Sequence, residues 1–143
     1  MEHTYAYPRA AVTTDVILIT QDQPAHILLI QRANDPFKGL WAFPGGFVDM
    51  DEDLRHAAMR ELAEETGITG VDIKQFKTYG AVDRDPRHRT ISVVYYSQLN
   101  HQPLAQGMDD AADARWFPIS ALPPLAFDHQ NIINEVIESL ELD

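Results

Sequence analysis

"RELAEETG", Arg60 to Gly67, places three glutamates within five positions, downstream of a glycine turn, "PGG", Pro44 to Gly46. The stretch reads as the second half of a helix running from about Asp53 to Thr66. Acids gather ahead of it, and Gly67 stands where a left-handed C-cap belongs. At about 100° per residue, Glu64, Glu61 and Glu65 project at about 280°, 340° and 20° relative to Leu54, inside roughly a 100° arc. Ala58, Leu62, Met59 and Ala63 fill another arc and are expected to face the core. Glu61 and Glu65 are i,i+4 neighbours, a spacing at which like charges destabilise a helix. They also sit toward the C-terminal end, where the helix dipole disfavours anions. Local rule-breaking of this kind is where function is expected.

Two readings compete for this helix. One is a solvated acidic face on which Arg60 pairs with Glu64. The other is a metal site. Mg²⁺ takes oxygen ligands in octahedral geometry and keeps several waters. Carboxylates on successive helical turns, joined by a backbone carbonyl from a glycine turn, supply such ligands. Gly45 and Gly46 carry no side chain, so an ion or phosphate can approach their backbone closely.

The rest of the chain narrows the class. Its 143 residues suit one domain, 1–143, long enough to bury a substantial core. A formal charge of −11 argues against a nucleic-acid footprint. An anionic small substrate stays open, because bound cations reverse the sign of a pocket. There is no cysteine, so thiolate metal sites and disulfides are excluded. "MEHTYAYPRA" has no apolar leader segment, and no apolar run approaches the roughly 20 residues of a membrane span. A cytoplasmic protein with no membrane partner is the expectation.

Ala10 to Thr20 and Ala25 to Arg32 are rich in β-branched and aliphatic residues and are predicted as a strand hairpin. A short extended piece is expected at Leu40 to Phe43. "VDIKQFKTYGAV" and "RTISVVYYSQL" read as further strands, Asn100 to Asp113 as polar loop, and "ARWFPIS" as a late strand. Ile132, Ile133, Val136, Ile137 and Leu140 recur at helical spacing, which predicts a last helix over about Asp128 to Leu142. Strands outnumber helices and separate them, so a mixed sheet with helices packed on it is expected.

Gly46, Glu52 and "RELAEETGI" (Arg60 to Ile68) also stand at fixed spacing: Gly, five residues, Glu, seven residues, then Arg-Glu, an apolar residue, any residue, Glu-Glu, any residue, Gly and an apolar residue. This resembles the Nudix box at every defined position. The resemblance implies an α/β fold, an α/β/α sandwich with a mixed β-sheet between helices. It also implies metal-dependent hydrolysis of a nucleoside diphosphate linked to a moiety X. By position, Glu61, Glu64 and Glu65 are implied metal ligands, with the Gly45 carbonyl as a further one. Arg60 and Glu52 match positions that orient them. Mg²⁺ is the implied ion, with Mn²⁺ as a substitute. Metal ions neutralise pyrophosphate charge and activate water, and a carboxylate must accept the proton. Glu61 and Glu64 are candidates for that base. Asp110 stands six residues before Trp116, where relatives often carry an additional loop acid.

The box is silent on X. "DRDPRHRTIS", Asp83 to Ser92, gathers Arg84, Arg87 and Arg89, which could clamp phosphate or ribose oxygens. Equally, these arginines could pair with Asp83 and Asp85. The segment is similar to a stretch of the bacterial and archaeal ADP-ribose pyrophosphatase branch of the family, with His88 in place of a glycine. Phe47 is a candidate base-stacking surface, whereas Trp41, Phe43 and Phe127 read as core or loop anchors. His129 reads as part of the first turn of the last helix. The implied activity is conversion of ADP-ribose to AMP and ribose 5-phosphate. The alternatives are a nucleoside triphosphate or another nucleotide sugar as substrate, or an ADP-ribose sensor without turnover. Relatives of the sensing kind carry a C-terminal DNA-binding domain, for which this chain leaves no room, and tend to lose the box glutamates. Such Nudix enzymes are often homodimers, and "HTYAY" is a candidate interface segment.

Overall fold

The computed structural model describes residues 2–142. The elements follow in the order β1 (Ala11–Thr20), β2 (His26–Arg32), β3 (Trp41–Ala42), β4 (Gly45–Phe47), α1 (Leu54–Thr66), β5 (Lys74–Tyr79), β6 (Thr90–Leu99), β7 (Ala111–Pro118) and α2 (His129–Ser139). The seven strands form one sheet whose main path is β3-β2-β1-β6-β5, with β4 beside β1 and β7 beside β2. β1 and β6 run parallel in register from Ala11↔Thr90 to Thr20↔Leu99, and the other pairings are antiparallel, so the sheet is mixed.

Strand alternation sends neighbouring side chains to opposite faces. Val16 and Leu18 of β1 pack with Leu28, Ile30, Ala58 and Leu62 on the α1 face. Ile17 and Ile19 pack with Ile27, Leu29, Ile132, Ile133 and Val136 on the α2 face. Both faces are covered, which is why β1 and β2 read as nearly unbroken apolar runs. The result is the expected α/β/α sandwich. Among the described residues, no helix is long and apolar enough to cross a membrane.

The β1–β2 hairpin holds at its base and then opens. Ile19↔Ile27 is the paired position, after which the strands part. β3 borders β2 through Ile30↔Ala42, and β4 borders β1 from Thr13↔Phe47 to Asp15↔Gly45. The sheet is thus split, and a cleft opens within the split. The glycine turn of the sequence reading proves to be strand β4. A Cβ on Gly45 would lie 2.2 Å from the Thr14 carbonyl oxygen, so only glycine lets this strand approach β1 so closely. Strand β7 starts at Ala111, inside the stretch expected to be loop, with a register shift at Gln31/Arg32.

Helix α1 begins after Asp53, whose side chain makes no capping bond. It ends at Gly67, left-handed at φ 80°, whose N–H donates to the Ala63 carbonyl. Its last carbonyls are satisfied from the 105–108 loop: Gln106 N–H donates to Thr66 O and Met108 N–H to Glu65 O. That loop leads directly into Asp109 and Asp110 and so ties both aspartates to the end of the glutamate helix.

Candidate active site

The cleft in the split sheet encloses a cavity of about 430 Å³. Gly45, Gly46, Glu61, Glu65 and Asp110 line it together with Arg84, Arg87, Phe127 and His129. Phe47 stands 40% exposed at the rim.

Glu65 is 5% exposed. Its position at about 20° on the helical wheel places it next to Ala58 at about 40°, so the acidic arc merges with the core face. Its Oε1 accepts the Gly45 N–H at 2.7 Å. Burial pushes its carboxyl up to about 8; the Gly45 bond opposes this, and Glu61, Asp15 and Asp110 add to it. Glu61 is also raised by burial, against the pull of Arg60, with Glu64 and Asp109 contributing repulsion. Gly46 faces Glu61 so closely that a Cβ would lie 2.6 Å from its carboxylate.

Arg60 is the hub behind this wall. Its Nε and Nη2 donate to the two oxygens of Glu52 at 2.6 and 2.8 Å. Its Nη1 donates to Glu61 at 2.9 Å and to Glu64 at 3.2 Å, and Nη2 also reaches the Phe47 carbonyl. The hydrogen bonds from Arg60 hold the Glu52 carboxyl down to about 2. The guanidinium is correspondingly raised, chiefly by Glu52. Arg60 does pair with Glu64, and Glu61 and Glu65 face the cavity. Glu52, Arg60 and Glu64 stand behind or beside the lining.

The arginine segment differs from expectation in its partners. Arg84 makes a bidentate pair with Asp128, at 2.9 and 2.7 Å, not with Asp83 or Asp85. Arg87 pairs bidentately with Asp85, at 3.0 and 2.7 Å. Burial alone would raise the Asp85 carboxyl, but the bonds from Arg87 outweigh it and lower it. Arg89 does not reach the cavity; its guanidinium lies 3.4 Å from the Ala81 carbonyl. The Arg87 guanidinium lies 5.1 Å from the Phe47 ring centre and 5.7 Å from that of Phe127.

Asp15, Arg32 and His129 are among the lining residues that escaped the sequence reading. Asp15 is 8% exposed in the middle of β1, and its Oδ2 accepts the Ser92 hydroxyl. An acid inside "TTDVILIT" was the available signal. Arg32 closes β2, donates to the Pro36 carbonyl at 2.7 Å and stands 4.9 Å from the Phe127 ring centre. His129, read as a helix-turn residue, does open α2, but its ring also lines the cavity. It stacks on Phe43 at 4.3 Å, and its Nδ1 accepts the Phe43 N–H.

No three described His, Cys, Asp or Glu residues form a ready-made ligand cage. The donor set nevertheless fits a hard divalent cation. It is all oxygen, Glu65 is buried, and burial raises the carboxyls of Glu65 and Glu61, with neighbouring acids adding to it, a state that a cation would relieve.

The NUDIX domain matches residues 9–139. The chain therefore belongs to the Nudix family and is a Nudix hydrolase, and hydrolases of this family work with divalent metal ions. It is 42% identical to the ADP-ribose pyrophosphatase of Methanocaldococcus jannaschii, over 90% of this chain and 74% of that protein. It is 37% identical to the ADPR responsive transcriptional repressor NtrR of Acinetobacter baylyi, over 94% of this chain but 56% of the repressor. The NUDIX domain of Shewanella oneidensis NrtR, solved with ADP ribose, superposes with a TM-score of 0.87 at 38% identity, covering 94% of this chain and 91% of that one.

Proposed function

We propose that this protein hydrolyses ADP-ribose to AMP and ribose 5-phosphate, using Mg²⁺ or Mn²⁺. The observation that carries the reading is the mixed lining of the cavity. Carboxylates, the buried Glu65 among them, share it with ion-paired arginines and aromatic rings. A pyrophosphate flanked by neutral groups suits such a surface. The names of the M. jannaschii relative and the S. oneidensis complex support the same substrate. The span of the domain match supports a single catalytic domain.

In this reading Glu61, Glu64, Glu65 and the Gly45 carbonyl would hold the metal. The ion, when bound, neutralises phosphate charge and lowers the pKa of the attacking water. The remaining work falls to the chain. Glu65 is anchored by the Gly45 N–H. Arg60, locked by Glu52, fixes where Glu61 and Glu64 point. Glu61 or Glu64 accepts the proton of water, with Asp110 close by on the loop that follows the 105–108 stretch; clustered carboxylates share such a proton. Arg84 and Arg87, each already fixed by a carboxylate, offer their remaining N–H groups to phosphate or ribose oxygens, with Phe47 beside them.

The test is a panel of ADP-ribose, other nucleotide sugars and nucleoside triphosphates, with Mg²⁺ and with Mn²⁺. Products are identified by chromatography, and the attacked phosphorus by label from ¹⁸O-water. AMP and ribose 5-phosphate are expected from ADP-ribose. Hydrolysis of another nucleotide without release of AMP from ADP-ribose would overturn the substrate. The resemblance to a repressor favours a sensing role as second reading. Tight ADP-ribose binding with no turnover under either metal would select it.

A further inference from the structure

Two buried ionisable side chains in the cavity take no part in the chemistry above. Asp15 is 8% exposed on β1, and His129 is 2% exposed at the start of α2. A buried carboxylate is costly unless it is paired. The hydrogen bond recorded to the Asp15 carboxylate comes from the Ser92 hydroxyl and engages Oδ2. Arg84, a cation of the same lining, is committed to both oxygens of Asp128. Oδ1 faces β4, where a Cβ on Gly45 would lie 2.4 Å from it.

The tautomer of His129 follows from its partner. Nδ1 accepts the Phe43 N–H at 3.2 Å, so the proton of the neutral ring is on Nε2. Burial lowers the pKa of this ring and keeps it neutral. The cavity wall therefore carries a neutral N–H donor near an acceptor-only carboxylate, which is the leading charge acting on the ring after burial.

This pair suits an occupant that both donates and accepts. A phosphate would meet like charge at Asp15 unless a bound cation lay between them, and it would offer the His129 N–H only an acceptor. A purely apolar group would leave both polar groups unsatisfied. Vicinal sugar hydroxyls satisfy both, since each can donate to a carboxylate and accept from an imidazole. A carboxylate that recognises ribose hydroxyls is a recurring solution in nucleotide sites. The flat, exposed surface lies elsewhere, on Phe47 at the rim beside the Arg87 guanidinium. Such a platform holds any base by its face.

We propose that Asp15 and His129 are specificity residues that read the hydroxyls of the sugar in X, which enters the cavity first, while the nucleobase rests at the rim against Phe47 and Arg87. The proposal rests on the substrate reading above. Its consequence is strictness toward the sugar and tolerance toward the base.

The test compares wild type with Asp15→Asn and His129→Gln on ADP-ribose, IDP-ribose and ADP-glucose, with ADP as a competitive inhibitor. Wild type should accept IDP-ribose within about tenfold of ADP-ribose and discriminate more strongly against ADP-glucose. Asp15→Asn should lose about 10- to 100-fold in kcat/KM for ADP-ribose, the loss expected for hydrogen bonds to a charged group. Its preference over ADP-glucose should collapse, and inhibition by ADP should be unchanged. An equal loss on all three substrates would reduce Asp15 to a structural role and overturn the proposal. Weakened ADP inhibition matching the loss of turnover would place adenosine at Asp15 and reverse the orientation. Should Asp15→Asn fail to fold by circular dichroism, His129→Gln carries the same comparison. If wild type releases no AMP from ADP-ribose, the substrate reading fails; if it does and both variants keep the sugar preference, this proposal alone fails.

Discussion

Replacing Glu65 with glutamine should stabilise the metal-free protein while abolishing its activity. Burial and neighbouring acids raise the Glu65 carboxyl from 4.5 to about 8. A carboxyl with a raised folded pKa supports the fold below its unfolded pKa, and that support is lost as pH rises through the folded value. Each pKa unit is worth about 1.4 kcal/mol. The native state without metal is therefore penalised by about 1 kcal/mol at pH 5 and about 4 kcal/mol at pH 8. Glutamine carries no such penalty, and its amide oxygen can still accept the Gly45 N–H. For a chain of this size a gain of that order raises the melting temperature by roughly 10 °C. The assay is thermal unfolding in EDTA from pH 5 to pH 8.5. The variant's advantage should be small at pH 5 and widen steadily upward. Millimolar Mg²⁺ should narrow the gap by stabilising wild type, since a ligand of the native state does so by mass action. Turnover should fall by orders of magnitude in the variant. A gap that does not widen with pH, or a variant that melts below wild type at pH 8 in EDTA, would refute the claim that Glu65 is a strained acid awaiting a cation.

Two further outcomes follow from contacts at the same wall. Arg60→Ala should lower kcat/KM about 10- to 100-fold, the usual cost of losing a residue that orients ligands. The metal concentration needed for half activity should rise with it, because Glu61 and Glu64 lose the donor that fixes them. Gly46→Ala and Gly45→Ala should part company. The Cβ at Gly46 meets the end of the Glu61 side chain, so activity should drop with little change in melting temperature. The Cβ at Gly45 meets the Thr14 carbonyl oxygen and Asp15 Cα, so its melting temperature should fall sharply. Parallel melts and rate measurements of the two variants check this.

What the sequence disclosed follows from where each signal lives. α1 was legible to within a residue because periodicity and the Gly67 cap are local. β1 and β2 were legible because two covered faces leave an apolar run. β4 was not, since glycines carry no side-chain pattern and the strand exists only by close approach to β1. The start of β7 was hidden for a similar reason: Ala111 and Ala112 give no alternation, and pairing with β2 defines it. The glutamate arc was placed correctly, yet the burial of Glu65 lay in the narrow angle to Ala58, which a two-arc division obscures. The arginine segment was visible as a cluster, but Arg84 finds Asp128 at 44 positions' distance, beyond any local reading. Asp15, Arg32 and His129 converge from β1, β2 and α2, and only tertiary structure brings them together.

Ion pairing gives this convergence its functional logic. Arg60, Arg84 and Arg87 each hold a carboxylate by two bonds. Such forks are fixed in direction but nearly neutral in sum, so they orient a ligand without supplying net attraction. With Arg32 as the further cation of the lining, the carboxyls of Glu61, Glu65, Asp15 and Asp110 leave a surplus of acid in the cavity. A pyrophosphate meets repulsion there until a cation arrives, and a cation would be held more tightly where phosphate oxygens join the protein carboxylates. Metal and nucleotide must therefore each raise the affinity of the other by the same factor, as linkage requires. An acidic chain can in this way bind an acidic substrate: the protein supplies direction, and the metal supplies the sign.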